Sequence, residues 1–170
     1  MRAAEARIPD ELADLRVRLS RIATGLGDAV SELREIAHGI HPAILAYGGL
    51  GPALRALADR SAIPVELEIT TDARTPPAVE IAMYYVASEA LANATKHSQA
   101  SEIDVSLRRG DGTLFLEIRD DGVGGADPTG SGLVGLFDRV EALGGSIRVD
   151  STAGEGTRIA VQLPVELATS

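Results

Sequence analysis

The fold is decided by one short stretch, Leu114-Phe-Leu-Glu-Ile-Arg-Asp120-Asp-Gly122-Val-Gly124. Its apolar and polar residues alternate, which is typical of a β-strand with one buried face. Asp120 has the parity of the apolar residues, so the pattern predicts an acid on the buried side of a sheet. A carboxylate there needs a hydrogen-bond donor, and the amino group of an adenine is a suitable one. Gly122 and Gly124 would let the backbone approach a ligand closely.

Around this strand, the chain after residue 50 predicts alternating helices and strands. The expected elements are a short helix over 51–61, a strand over 65–69, a helix from Pro77 to about His97, a hairpin turning at 109–112, a helix over 133–143, and two strands joined by 152–156. Every strand has one polar face. We therefore expect an α+β fold in which helices cover one side of a single, largely antiparallel sheet.

The N-terminal residues predict a separate helix. Apolar residues recur at alternating three- and four-residue steps from Leu12 to Ile40, which forms an a/d seam. Such a helix either packs on its own domain or pairs with a second chain, and we favour dimerisation because the seam persists for about four heptads. The predicted domains are residues 1–47, the coiled-coil-like helix, and residues 48–170.

Composition excludes several classes of protein. The formal net charge is -9, which argues against a nucleic-acid-binding surface, because such a surface needs clustered cations. The absence of cysteine excludes disulfide and thiolate-metal frameworks and is compatible with the cytoplasm. No apolar run is long enough to span a bilayer, and the N-terminus lacks a secretory signal.

A second polar motif lies on the helix that begins at Pro77. Glu89, Asn93 and Lys96 are spaced by four and three residues, so they form one stripe beside the apolar face. Asn93 offers a neutral oxygen to Mg²⁺, Lys96 suits a phosphate, and Glu89 could accept a proton from a nucleophile. For these three residues alone, a solvated helix edge with i,i+4 pairs is the better interpretation. The inward-facing Asp120 shifts the preference towards a ligand-binding site.

Two further features fit the same site. Gly130-Ser-Gly-Leu-Val-Gly135 matches the dinucleotide fingerprint, but a loop separates it from the preceding strand. We interpret it as a glycine-rich lid that enters a helix N-terminus, where phosphate is favoured. Thr157 has the parity of Ile159 and Val161 and would face inward, although on its own it is equally typical of a hairpin.

Taken in order, these motifs resemble those of a known superfamily. The motifs are Glu89-x-x-x-Asn93-x-x-Lys96-His97, Asp120-x-Gly122-x-Gly124, Gly130-x-Gly132-Leu133-x-Gly135-Leu and Gly154-x-Gly156-Thr157. They resemble the N, G1 and G2 boxes and the final threonine of the GHKL ATPases, which include gyrase, Hsp90 chaperones, histidine kinases and MutL proteins. The resemblance implies the two-layer α/β sandwich of the GHKL (Bergerat) type.

Two other segments narrow the resemblance. Leu136-Phe-Asp-Arg-Val-Glu-Ala-Leu-Gly-Gly145 and Ile40-His-Pro-Ala-Ile-Leu45 are similar to sensor histidine kinases of the nitrate-sensor type, which pair with LuxR-like response regulators. The similarity runs from about residue 30 to 164. It implies a catalytic part that binds ATP and Mg²⁺ and transfers the γ-phosphoryl group to a histidine, and thence to the regulator.

The resemblance also implies a role for each matching residue. Asn93 would hold Mg²⁺ on the triphosphate, Glu89 would help activate the acceptor histidine, and Lys96 and His97 would sit near the phosphates. Asp120 would receive the adenine amino group, with Gly122 and Gly124 beneath the base. The lid would contain Gly132, Leu133 and Gly135, and Thr157 would support the adenine contact.

One departure from the family pattern limits these roles. The acceptor histidine of the family belongs to a His-Asp or His-Glu pair on the first dimerisation helix, yet here His38 precedes Gly39 and His41 precedes Pro42. We expect both to be capping or packing residues. The chain is therefore expected to be the cytoplasmic part of a larger, homodimeric sensor whose acceptor lies elsewhere. Two alternatives stay open, a nucleotide-gated interaction module related to anti-sigma or degenerate kinases, and a purely structural dimerisation domain.

Overall fold

The computed structural model describes residues 43–71, 73–126 and 131–165, with the backbone alone for residues 131–134. The chain divides into two units at Ile40 and His41, and every described residue belongs to the second. The helix predicted over residues 12–40, together with His38 and His41, lies outside the described residues. The domain boundary at residue 47 therefore stays a prediction.

After one short helix that was not predicted, the described elements follow the predicted order. They are α1 (Ala43–Gly48), α2 (Leu50–Ala58), β1 (Val65–Ile69), α3 (Pro77–Asn93) with a π-helical turn (Ala94–Ser98), β2 (Ile103–Gly110), β3 (Thr113–Asp120), α4 (Ser131–Ala142), β4 (Ser146–Ser151) and β5 (Thr157–Pro164). Pro77 occupies the first helical position of α3, where its missing N–H has no intrahelical partner to lose. None of the helices in the described part combines the length and apolar character needed to cross a membrane.

The strands form one five-stranded sheet in the order β1-β2-β3-β5-β4. Only β1 and β2 are parallel, and the other neighbours are antiparallel, so the prediction of a largely antiparallel sheet is confirmed. Asp111 and Gly112, with φ of 50° and 69°, close the β2–β3 hairpin. Two consecutive positive φ angles are what a two-residue type I′ turn requires.

The sheet has one covered face and one charged face. Its inner aliphatic residues join the apolar residues of α3 in a single buried cluster, whose fully buried members include Met83, Leu116 and Leu163. The outer face carries charged side chains, among them the Glu117–Arg158 pair with N···O distances of 2.9 and 2.7 Å. The described helices thus cover one side of the sheet, as the polar faces of the strands predicted.

The start of α3 is fixed by a buried acid that the sequence did not reveal. Glu80 is only 2% exposed, and its carboxylate accepts two bonds from Arg74, at 2.9 and 3.1 Å. It also accepts the Thr75 N–H at 3.0 Å. A buried carboxylate is tolerable only with such partners. The pair therefore holds the first turn of α3 in place, and with it the rotation of the whole helix.

Candidate nucleotide site

Asp120 ends β3 on the inner face of the sheet. Leu114, Leu116, Ile118 and Asp120 are all buried, while the residues between them are more exposed, so the orientation predicted from the alternation is confirmed. The Gly122 N–H donates to the Asp120 Oδ1 at 3.0 Å. Within the described ranges no hydrogen bond occupies the second carboxylate oxygen. A buried acid with one open acceptor is what a ligand donor requires.

Asp120 begins a row of polar side chains across three strands. Thr157 of β5 pairs with Asp120, and Ser151 of β4 pairs with Thr157. The two hydroxyl oxygens lie 2.9 Å apart, and the Ser151 hydroxyl also accepts the Ala126 N–H at 3.0 Å. Ser151 was not predicted from the sequence, although its parity with Ile147 and Val149 was the available signal.

The predicted stripe on α3 ends in an unexpected geometry. Regular α-helix stops at Asn93, and Lys96 lies in the π-helical turn that follows, whereas we predicted one continuous helix to His97. The Thr95 and Ser98 hydroxyls donate to carbonyl oxygens four residues earlier, at 2.9 and 2.7 Å. Such bonds compete with the backbone ladder, and π-turns recur at functional sites.

Among the described residues, the polar side chains of this stripe have no hydrogen-bond or ion-pair partner. Glu89 and Asn93 are partly buried, while Lys96 and His97 are exposed. In the part of the chain that the structure describes, none of these four side chains forms a hydrogen bond or an ion pair. The i,i+4 pairs of the alternative interpretation are thus not formed among these residues, which leaves the stripe available to a ligand.

Backbone hydrogen bonds join the two predicted motifs. The Ser98 carbonyl, at the end of the π-turn, accepts the Val123 N–H at 2.7 Å, and the Val123 carbonyl accepts the Gly154 N–H at 2.7 Å. These bonds connect the end of α3, the loop after β3 and the turn between β4 and β5. Because α3 packs on the inner face where Asp120 points, Asn93 and Asp120 lie on the same side of the sheet.

The glycines after β3 serve the packing of this junction. A Cβ at Gly122 would lie 2.6 Å from the Ser98 Cβ, inside any real carbon contact. Gly124 has φ of +61°, and a Cβ there would collide with the Thr152 carbonyl. Both positions therefore require glycine, because atoms of Ser98 and Thr152 lie too close to leave room for a side chain. Their placement beneath a base stays a prediction.

Helix α4 carries the predicted lid glycines. Gly130 lies outside the described residues, and Gly132 and Leu133 lie in the first turn of α4, where only the backbone is described. A Cβ at Gly135 would meet nothing within 4 Å. Packing in the described part therefore does not explain this glycine, in contrast to Gly122, and a helix interior ordinarily disfavours glycine.

One contact between α3 and α4 was not foreseen. The Arg139 guanidinium carbon lies 4.9 Å from the centroid of the Tyr85 ring, which is a cation–π geometry. Burial raises the pKa of the Tyr85 hydroxyl, and the Arg139 charge offsets part of that rise. Nothing in the sequence linked two residues so far apart in the chain.

Two places among the described residues could hold a divalent cation. Glu66, Glu102 and Asp104 form an exposed cluster on the outer face, and such clusters are common without an ion. Asn93, one helical turn after Glu89, supplies a neutral oxygen that accepts no hydrogen bond from the described residues. Mg²⁺ keeps several waters and takes few protein ligands plus nucleotide phosphates, so a single amide oxygen on this stripe suits it.

Comparisons with known proteins found a matching family and several similar proteins. Residues 78–167 match the family described as histidine kinase-, DNA gyrase B- and HSP90-like ATPases. Sensor histidine kinase NarS of Mycobacterium tuberculosis is 35% identical over 159 residues, covering 88% of this chain and 37% of that protein. Oxygen sensor histidine kinase NreB of Staphylococcus carnosus is 31% identical over 166 residues, covering 92% and 47%. The chain thus spans less than half of these relatives.

Solved structures share the fold. The blue-light activated histidine kinase of Erythrobacter litoralis EL346 superposes with a TM-score of 0.59 at 24% identity, covering 69% of this chain and 41% of that one. The histidine kinase AdeS of Acinetobacter baumannii gives 0.54 at 17% identity, covering 94% and 87%. At these identities the likeness concerns the fold alone, which is the predicted two-layer sandwich.

Proposed function

Because this chain belongs to the family of histidine kinase-, DNA gyrase B- and HSP90-like ATPases, we propose that it binds ATP with Mg²⁺ as the catalytic part of a sensor histidine kinase. Its curated relatives are sensor histidine kinases, so the resemblance stated from the motifs is confirmed. The reaction is transfer of the γ-phosphoryl group to a histidine outside this chain, and then to a response regulator.

The observation that carries the proposal is the state of Asp120. It is 7% exposed, a backbone N–H donates to one oxygen, and no donor among the described residues reaches the other. An apolar ligand would leave that oxygen desolvated and unpaired, at a cost of about 1–3 kcal/mol. An adenine amino group supplies the missing donor, while Thr157 and Ser151 add hydroxyls along the same row.

The unpaired stripe of α3 supplies the other half of the site. Asn93 would hold Mg²⁺ with water and phosphate oxygens, and Lys96 and His97 would neutralise phosphate charge. Glu89 would orient and deprotonate the acceptor nitrogen. Phosphoryl transfer depends mainly on positioning and charge neutralisation, with little covalent chemistry by the protein. These side chains have no partner within the described part of the chain, which fits a surface whose partners arrive with the ligand.

Partners and location belong to the same proposal. By its nitrate-sensor motifs, the protein would act on a LuxR-type response regulator and form a homodimer through residues 12–40 in the cytoplasm. The net charge of -9 makes nucleic acid an unsuitable partner. We propose that the acceptor histidine lies on another segment, since neither His38 nor His41 has the family context.

Calorimetric titration with a non-hydrolysable ATP analogue, with and without Mg²⁺, tests nucleotide binding. The wild type should bind more tightly with Mg²⁺, and Asn93→Ala should lose that dependence. Asp111→Asn, an exposed change in the β2–β3 turn, is the control and should bind as the wild type does. Analogue at a hundred times its dissociation constant should add about 2.7 kcal/mol to stability. No binding, or an unaltered Mg²⁺ dependence in Asn93→Ala, would contradict the assignment.

The kinase step needs a separate experiment. A peptide bearing the first dimerisation helix of a relative, with its His-Asp or His-Glu pair, is mixed with this chain and labelled ATP. Transfer to the peptide, lost in Glu89→Gln while nucleotide affinity is kept, supports a kinase. Binding without transfer favours a nucleotide-gated interaction module. Stable phosphohistidine on this chain alone would overturn our view of His38 and His41.

A further inference from the structure

Tyr85 lies at the N-terminal end of the polar stripe on α3. It precedes Glu89 by four residues and Asn93 by eight, so all three point along the same side of the helix. The ring is only 6% exposed and packs edge-on against Tyr84, with centroids 5.7 Å apart. Because the ring is fixed in the core, it is a rigid platform next to the proposed nucleotide site.

Arg139 occupies the corresponding place on α4. It follows Gly135 by four residues and Gly132 by seven, so it shares a helical face with both predicted lid glycines. Its guanidinium carbon lies 4.9 Å from the centre of the Tyr85 ring. The face of α4 that carries these glycines is therefore in contact, through Arg139, with the stripe of α3 that carries Glu89 and Asn93.

The rest of α4 is held by apolar packing. Leu136 and Val140 are 8% and 0% exposed and belong to the hydrophobic cluster. These contacts bury the helix without specifying its exact rotation, since aliphatic packing is non-directional. A guanidinium over an aromatic face is attracted by the ring quadrupole and has a defined geometry. Removing Arg139 should thus leave α4 folded but less precisely oriented.

We propose that Arg139 is a positioning residue for nucleotide binding, which stacks on Tyr85 and so sets the start of α4 against the Glu89–Asn93 stripe. The inference rests on the proposed nucleotide site. Arg139 touches no reacting atom, and its effect reaches the nucleotide only through the orientation of α4. A cation–π contact of this kind corresponds to between about two- and thirtyfold in an equilibrium constant.

The test is a double-mutant cycle on the affinity of the chain for the ATP analogue. Arg139→Met should weaken binding by between about two- and thirtyfold. The same change in a Tyr85→Leu background should have no further effect, because the ring is already gone. In a Tyr85→Phe background, which keeps the ring, Arg139→Met should still weaken binding. Arg139→Lys should restore part of the affinity, because an ammonium also stacks on the ring.

A matched control comes from the opposite face. Arg108 lies 4.2 Å from the centroid of Phe115 on the outer side of the sheet. Arg108→Met removes a cation–π contact that is closer than the one made by Arg139, and it should leave nucleotide affinity unchanged. Folding of every variant is checked by urea unfolding. Equal loss of affinity in Arg139→Met and Arg108→Met, additive losses in the cycle, or no rescue by lysine would overturn the inference. A wild type that binds no nucleotide would instead refute the proposed function.

Discussion

Replacing Asp120 by asparagine tests the recognition of the base with a change of very few atoms. In the native chain, the Gly122 N–H donates to Oδ1 at 3.0 Å. The same N–H should hold the amide oxygen of asparagine, because the amide nitrogen cannot accept it. The amide NH₂ then takes the place of the free carboxylate oxygen, so a donor faces the adenine amino group.

The magnitude follows from the type of bond that is lost. A hydrogen bond to a charged group contributes about 1.5–3 kcal/mol, and a neutral one about 1 kcal/mol. The Gly122 bond merely loses its charge, so the free energy of unfolding should fall by about 1 kcal/mol. The adenine bond disappears altogether, so ATP affinity should fall roughly ten- to hundredfold.

The assay compares ATP with inosine triphosphate on both proteins. Hypoxanthine carries a carbonyl oxygen where adenine has its amino group, so the wild type should prefer ATP. Asp120→Asn presents an NH₂ to that oxygen, and the preference should shrink or reverse. Asp104→Asn removes the same charge at an exposed position of the neighbouring strand β2 and should keep the wild-type preference for ATP. If Asp120→Asn discriminates between the two nucleotides as strongly as the wild type, the acid does not contact the base.

The remaining predictions concern stability. Gly122→Ala should lower the free energy of unfolding by about 1–3 kcal/mol through overpacking. Gly135→Ala, with open space around its Cβ, should raise the free energy of unfolding by about 0.5–1 kcal/mol. Equal effects of the two changes in urea titrations would refute the packing argument. Arg74→Met should lower the free energy of unfolding by about 3 kcal/mol, and by more than Glu80→Gln does, because it leaves a buried carboxylate without its cation. The reverse order of stability in thermal melts would contradict this reasoning. A hydrogen bond from Arg158 holds the pKa of Glu117 below its ordinary value. The stabilisation by this pair is therefore present above the ordinary pKa and is lost as the pH falls through the lowered one. Glu117→Gln should therefore cost a few tenths to about 1 kcal/mol at pH 7 and nothing in acid, and a cost independent of pH would exclude the ion pair as its source.

Local periodicity was sufficient to predict the frame of the molecule. Strict alternation located β1 and β3, and it placed Asp120 on the inner face because side chains change face at every residue of a strand. The paired positive-φ turn between β2 and β3 was likewise readable from Asp111 and Gly112. These signals lie within a few neighbouring residues and so need no knowledge of the tertiary structure.

What could not be predicted depends on contacts between distant segments. The partner of Arg139 is fifty-four positions away along the chain, at Tyr85, and no local pattern connects them. The two glycines after β3 were expected to admit a ligand, yet their space is taken by Ser98 and Thr152, which approach only after folding. The sequence did not reveal the burial of Glu80, which depends on the ion pair that Arg74 forms with it.

The π-helical turn over Ala94–Ser98 makes the length of this segment critical. A π-helical turn contains one residue more than an α-helical turn, so deleting one residue there would let a regular α-helix continue without interruption. Every later side chain of the segment would then swing by about 100° around the axis. Lys96 and His97 would face new directions, and the Ser98 carbonyl would no longer meet Val123. Shortening the chain here by one amino acid should thus be more damaging than most single substitutions in the same five positions.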